Sequence, residues 1–197
     1  MSASRRFKSL LGRLEVLRTH FLPKQFNPVG KYSRREHDLA RAYVVLAHAE
    51  LEAYIEDRAI EIAQRAANKW QTRGRHSRVI RKICASHNAR NDQPWLPFTK
   101  DSKRIESAMA SFKSLVGNNH GIREVNLLKL VFPLGIEYRS IDAALLSDLD
   151  TFGSSRGMFA HSSIKTQQPI DIQGQHRQVE AITKRLRILD RKLNDLR

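Results

Sequence analysis

The sequence contains one cysteine, Cys84, so no disulfide can form within the chain. A lone thiol suits a reducing compartment. No apolar run approaches the roughly 18 residues that a membrane-spanning helix needs. The N-terminal stretch MSASRRFKSLLGRLEVLRTHFL interleaves its apolar residues with arginines and lacks the unbroken apolar centre of a secretion signal. Glu15 argues against an Arg-rich organellar presequence. These absences lead us to expect a cytoplasmic protein with no membrane partner. Glycine-rich phosphate loops are missing, as are internal repeats, low-complexity segments and the local signature of a Ser or Cys nucleophile. Cys84 with His76 and His87 falls short of a four-ligand metal set, and Asp148 and Asp150 read as helix-surface acids. No metal and no cofactor are expected.

Acidic residues are also short. Lys and Arg number 35 against 20 Asp and Glu, a formal net charge of +15. A domain this basic ordinarily meets a polyanion, with nucleic acid the first candidate. The imbalance is uneven. Residues 62–91 contain no acid at all, while Arg65, Lys69, Arg73, Arg75, Arg78, Arg81, Lys82 and Arg90 add eight positive charges. Residues 1–37 hold nine more basic residues against Glu15 and Glu36. A solvated face is the commoner meaning of one such run; two in a small chain point to phosphate binding. Charge alone does not separate RNA from DNA.

With little glycine or proline in the long segments, helical patterns dominate. Glu36 to Lys69 has neither residue and is rich in good helix formers. Val44, Ala47, Leu51, Ile55 and Ile62 draw one apolar stripe along it. A shorter basic helix is expected over Ser77–His87. The turn-rich piece NDQPWLPF follows, with Trp95 and Phe98 as core anchors or base-stacking platforms. Residues 101–116 carry Ile105, Met109 (or Ala108), Phe112 and Leu115 or Val116 at helical spacing, and GNNHG ends that helix. Val125, Leu128 and Phe132 suggest a short helix stopping near Pro133. Leu145, Leu149 and Phe152 lead into the stretch SSRGMFAH. In the tail, Val179, Ile182, Leu186, Leu189, Leu193 and Leu196 alternate three- and four-residue steps, the seam of a helix packed on its own domain or of a short coiled coil. We expect an all-α bundle of about five to seven helices. Residues 1–37 would form a basic N-terminal arm or helix, and residues 38–197 the domain, ending in an amphipathic helix over 176–196.

SSRGMFAH sets Arg156 five positions before His161. On a regular helix that step turns about 140° and rises about 7.5 Å, so the two side chains leave different faces. Ser154 or Ser155 could cap a helix beginning there, placing Arg156 in its first turn beside anion-attracting N–H groups. Arginine for a phosphate and histidine for protons would suit phosphodiester cleavage. Spacing alone favours a chance pairing. The first long helix alters that balance. Relative to Val44, His48 lies about 40° round the helix, Arg41 about 60° and Glu52 about 80°. The three make a polar shoulder beside the apolar stripe, either a salt-bridge ladder or the floor of a cleft.

Three blocks then occur in order: RAYVVLAHAELEAYIEDRA (Arg41–Ala59), NLLKLVFPLGI (Asn126–Ile136) and RGMFAHSS (Arg156–Ser163). Together they resemble the HEPN superfamily, specifically its RiboL-PSP-like branch, over residues from about 38 to about 165. The resemblance implies an all-α bundle that dimerises and gathers two Arg-x4–6-His motifs in a shared cleft. It further implies a metal-independent endoribonuclease, of the kind often found as toxins or antiviral effectors, with an antitoxin protein as a candidate partner. Arg156 and His161 match the catalytic motif, with His48, Glu52 and Arg41 in the supporting helix. Arg73, Arg75, Arg78, Arg81 and Lys82 then become the expected RNA-binding surface. The motif commonly carries Asn, Asp or His directly after its arginine, where this chain has Gly157. The alternative is therefore a catalytically silent module that binds RNA or protein.

Overall fold

Ser33 begins the longest element. Its hydroxyl accepts from the Glu36 N–H at 3.3 Å, while the Glu36 carboxylate accepts from the Ser33 N–H at 2.7 Å. This reciprocal capping box satisfies donors that a helix start otherwise leaves unpaired. With no internal glycine or proline, helix α2 then runs for 40 residues, Arg34–Arg73, until Gly74 takes a left-handed conformation (φ 62°). The computed structural model describes residues 3–91, 100–161 and 169–196. Within them lie α1 (Arg5–Phe21), α2, α3 (Arg78–Asn91), α4 (Asp101–Gly117), α5 (Glu124–Val131), a 3-10 turn at Tyr138–Ser140, α6 (Ala143–His161) and α7 (Ile172–Asp195). Among the described residues there is no strand, so the chain is all-α. Trp95 and Phe98 lie outside the described residues.

Every other helix packs on α2. The expected stripe Val44, Ala47, Leu51, Ile55 and Ile62 is buried, but so are Ala40, Tyr43, Ala59, Ala63, Ala66 and Ala67 on neighbouring faces. The small alanines let several helices approach this one axis. Burial on most of its circumference makes α2 the spine of the bundle. The seam of α7 turns inward: Val179, Ile182, Leu186, Leu189 and Leu193 are buried within this chain. Its start is four residues earlier than the pattern indicated, because Asp171 accepts from the Gly174 N–H at 2.8 Å and caps the helix at Ile172.

Helix α1 lays Phe7, Leu10, Leu14 and Leu17 into the same core. Its arginines meet acids of α2. Arg6 pairs with Asp57 and Glu61, and Arg13 with Glu50 at 3.0 Å. Part of the N-terminal positive charge is thus matched within the bundle. A buried ion pair ties three helices together. Asp190 of α7, fully buried, accepts from Arg58 Nε at 3.0 Å, from the Tyr54 hydroxyl at 2.8 Å, and from both the backbone N–H and the hydroxyl of Ser4. Arg58, itself 1% exposed, also reaches Glu61 and Asn194. Four donors compensate a carboxylate that would be very costly to bury alone.

Two local expectations need correction. Helix α5 exists, but Val125 is 68% exposed and Phe132 42% exposed, whereas Leu127, Leu130 and Val131 are buried. Val125 and Phe132 share a helical face with Lys129, which keeps that face towards solvent. Nor does a helix begin at Ser154. Helix α6 is already more than two turns old there, and the hydroxyls of Ser154 and Ser155 donate backwards to the carbonyls of Asp150 (2.8 Å) and Thr151 (3.0 Å). Arg156 therefore stands in the closing turns of α6, where N–H groups are all engaged, and not in a first turn.

Candidate active site

The inward stripe of α6 runs through Leu145, Leu149 and Phe152, all buried. Arg156 follows Phe152 by four residues and continues that stripe towards α2. Phe152 stacks on the imidazole of His48, with ring centroids 6.3 Å apart and planes inclined by 25°. His48 is 4% exposed and its Nδ1 lies 3.6 Å from Glu52 Oε2, one turn along α2. Burial holds the His48 imidazole below the ordinary histidine range; Glu52 opposes this, and the positive charge of Arg156 reinforces it. Arg156 thus stands near enough to act on His48 across the α2–α6 seam. The shoulder inferred from helical angles is covered by protein. Its i,i+3 and i,i+4 pairs, Arg41 with Asp38 and His48 with Glu52, are largely covered rather than freely solvated.

Arg156 has another notable property. Its Nε is buried and finds no hydrogen-bond partner among the described residues. A guanidinium N–H so placed would be satisfied by an approaching hydrogen-bond acceptor. His161 is the final residue of α6, and its side chain lies outside the described residues. Arg41 pairs with Asp38 at 2.9 Å, two turns before His48. Gly157 has open space where a Cβ would project, so no neighbour enforces glycine there.

A third wall was not apparent from the sequence. The link between α4 and α5, read only as a helix terminator, is fastened to α2. The Gly121 N–H donates to Glu52 Oε1, and Asn119 Nδ2 donates to Glu56 Oε1 at 2.8 Å. Asn119, 5% exposed, also donates to the Gly121 carbonyl and accepts from Asn126. Burial raises the Glu56 carboxyl above its ordinary value, against the Asn119 hydrogen bond, with Glu52 adding to the rise and His120 opposing it. At its other end the link reaches α6. A Cβ on Gly153 would lie 2.7 Å from Arg123 Cγ, so glycine is what lets this stem cross the helix. Asp150 is ion-paired with Arg123 (3.5 Å) and accepts from the Glu124 N–H (2.8 Å), which starts α5. Glu56 extends the His48, Glu52 series by one more four-residue step, a signal that was available. The tertiary role of Asn119 had none.

The basic run lies elsewhere. Arg73, Arg75, Arg78, Arg81 and Lys82 are all exposed, at the far end of α2 and on α3. Arg78 donates to Glu137 at 2.8 Å. The 21 residues from Glu52 to Arg73 correspond to about 30 Å of helix, so the run and the cleft are separate places in one chain. His76 faces Asp101 at 3.6 Å, His87 meets the Ser107 hydroxyl, and burial raises the Cys84 thiol. They form no group that could hold a metal among the described residues. Asp148 is paired with Arg185 of α7 at 2.7 Å. No helix among the described residues is long and apolar enough to cross a membrane.

Among family models, the one described as RiboL-PSP-HEPN matches residues 10–194. That span takes in part of α1 and nearly all of α7. No curated protein and no solved structure matches the chain.

Proposed function

From the membership of this chain in the RiboL-PSP-HEPN family, which suggests an RNase-like or RNA-binding role, we propose that it is an endoribonuclease working without a metal ion. The observation that carries the reading is Arg156, a half-buried cation whose Nε is covered and without a hydrogen-bond partner among the described residues, beside the His48–Glu52 pair. In the reaction, a ribose 2′-hydroxyl attacks the adjacent phosphorus. Arg156 stabilises charge on the phosphoryl oxygens, where a preorganised donor in a dry site acts most strongly. His161 handles a proton of the 2′-oxygen or of the leaving group. His48, held neutral by burial, and Glu52 line the floor and fix the α2 side of the cleft. Arg41 is about 10 Å further along the axis and contributes positive potential rather than contact.

Positions 156 and 161 of α6 are separated by about 140° around the helix axis. A second copy of the chain would gather them, so we take the working form to be a homodimer. RNA would also run over Arg73, Arg75, Arg78, Arg81 and Lys82. A role as toxin or antiviral effector, restrained by an antitoxin protein in a cytoplasmic setting, belongs to the same proposal. The reading of a silent module draws on Gly157, which places no side chain in the open space after Arg156.

One experiment separates these readings. Purified protein is incubated with single-stranded RNA and matched DNA in EDTA, beside His161→Ala and Arg156→Ala. The expected result is RNA cleavage by wild type alone, with DNA intact because it lacks the nucleophile. Loss of the acid–base group should cost about 10²–10⁴ in rate. RNA retained but uncut by wild type, or cut equally by the variants, would overturn the enzyme in favour of the binding module. Sedimentation showing only monomer would remove the shared cleft.

A further inference from the structure

Breaking a phosphodiester by 2′-oxygen attack moves two protons: one leaves the 2′-hydroxyl and one must reach the departing 5′-oxygen. His161 can serve at one end. His48 is poorly suited to the other, since it is 4% exposed, stacked on Phe152 and held neutral by burial. A different histidine lies beside the α2 carboxylates, close enough to act on Glu56. His120 sits in the link between α4 and α5, and its imidazole is exposed.

The backbone around His120 is held with unusual thoroughness for an exposed residue. On one side the buried Asn119 is bound by Glu56 and Asn126. On the other, Gly121 (φ 116°) gives its N–H to Glu52, the carboxylate that also faces His48 at 3.6 Å. The His120 carbonyl accepts from Asn126 Nδ2 at 3.3 Å. Two residues further on, the Arg123 stem crosses α6 at Gly153, one turn before Arg156. The link therefore bridges α2 at Glu52 and Glu56 to α6 at Asp150 and Gly153, about one turn from His48 on the first helix and from Arg156 on the second. A solvent-facing turn needs no such fastening. A side chain that must meet a reacting atom to within a fraction of an ångström does. The Glu56 carboxylate, which holds Asn119, lies close beside His120.

We propose that His120 is a second proton-transfer residue of this cleft, the general acid that protonates the leaving 5′-oxygen. The proposal rests on the ribonuclease reading given above. As the bond from O2′ to phosphorus forms, His161 takes the 2′-hydroxyl proton. As the bond from phosphorus to O5′ breaks, His120 gives its proton to that oxygen. The products are a 2′,3′-cyclic phosphate and a 5′-hydroxyl, with no oxidant, reductant or further reactant consumed.

The test uses a short RNA containing one linkage that the wild type cuts, made with either oxygen or sulfur at the 5′ bridging position. A thiolate departs without being protonated, so sulfur bypasses a missing acid. For His120→Ala the expected result is a loss of about 10²-fold or more on the oxygen linkage, with the sulfur linkage cut within about threefold of wild type. His161→Ala, lacking the base, should be slow on both. Because His120 is exposed, the variant should keep the wild-type helical circular dichroism. A His120→Ala rate within about twofold of wild type on oxygen, or equally depressed on both linkages, overturns the proposal and leaves the ribonuclease reading standing. A wild type that cuts no RNA overturns both.

Discussion

At the scale of single residues, His48 reports on the cleft most directly. Its imidazole is pushed below the ordinary value of 6.5 chiefly by burial, with Arg156 pushing the same way and Glu52 the other. Removing the cation should therefore raise the His48 titration midpoint, and neutralising the carboxylate should lower it. Proton NMR of the imidazole in Arg156→Ala and Glu52→Gln checks both directions; unchanged midpoints would mean these side chains do not meet across the α2–α6 seam. The sign for stability follows from the same shift. Unfolded His48 gains a proton at a higher pH than folded His48 does, so the unfolded state binds more protons in the window below 6.5. This residue makes the fold weaker as pH falls through that window, and replacing it with an uncharged side chain should flatten that part of the stability curve. The polar shoulder was legible in the sequence because helix angles are regular. The burial of that shoulder was not, because it depends on α6 lying over it.

At the scale of elements, the two glycines of α6 have opposite meanings. Gly157 faces open space, so Gly157→Ala should simply recover the helix-forming advantage of about 0.5–1 kcal/mol. Gly153→Ala brings a Cβ to 2.7 Å from Arg123 Cγ, close to the root of that side chain. Overpacking of this kind costs about 1–3 kcal/mol, outweighing the same helix gain. Thermal denaturation of the two variants should move in opposite directions, and a parallel rise would show that Arg123 does not lie across α6. Most helices could be read from the sequence, since Val44, Ala47, Leu51, Ile55 and Ile62 recur at helical spacing and Ser33 with Glu36 is a recognisable start. The inward face of α5 was misjudged from its apolar spacing, although Lys129 lies on the same helical face as Val125 and Phe132 and marks it as the outward one. The possibility that Ser154 or Ser155 caps a helix start is excluded by the course of α6. Serine caps helices but also bonds backwards inside them, and only the position of Leu145 and Leu149 in the same helix decides between the two. Asn119 and His120 were invisible as site residues because their importance comes from α2 carboxylates some 65 positions away in the chain.

For the whole molecule, the separation of cleft and basic run gives each its own signature. Arg75→Ala with Arg81→Ala removes two exposed cations, one in the link after α2 and one on α3. The pair should weaken RNA binding and shallow its dependence on salt by about 0.7 for each phosphate no longer neutralised, while the rate at saturating RNA stays unchanged. Fluorescence anisotropy over a salt series, set beside single-turnover cleavage, measures the two independently. A fall in the saturated rate would place the run within the cleft. The contrast with α1 is instructive, since Arg6 and Arg13 looked equally available in the sequence but face acids of α2. Charge counting could not foresee which cations the fold would neutralise.

The Asp190 pair carries a different consequence, one that concerns time. Arg58 lies in the middle of the spine, and its buried partner is 132 residues further on; Ser4 waits for the same carboxylate across 186. During synthesis from the N-terminus, α1 and α2 are complete long before α7 leaves the ribosome. Until then the only acid Arg58 meets is Glu61 at the solvent edge, and closing the core around it would strand the Nε side of a cation in an apolar interior. The spine must therefore stay partly open to water until α7 arrives. Folding is thus biased to a late, concerted closure in which α1, α2 and α7 are locked by one side chain.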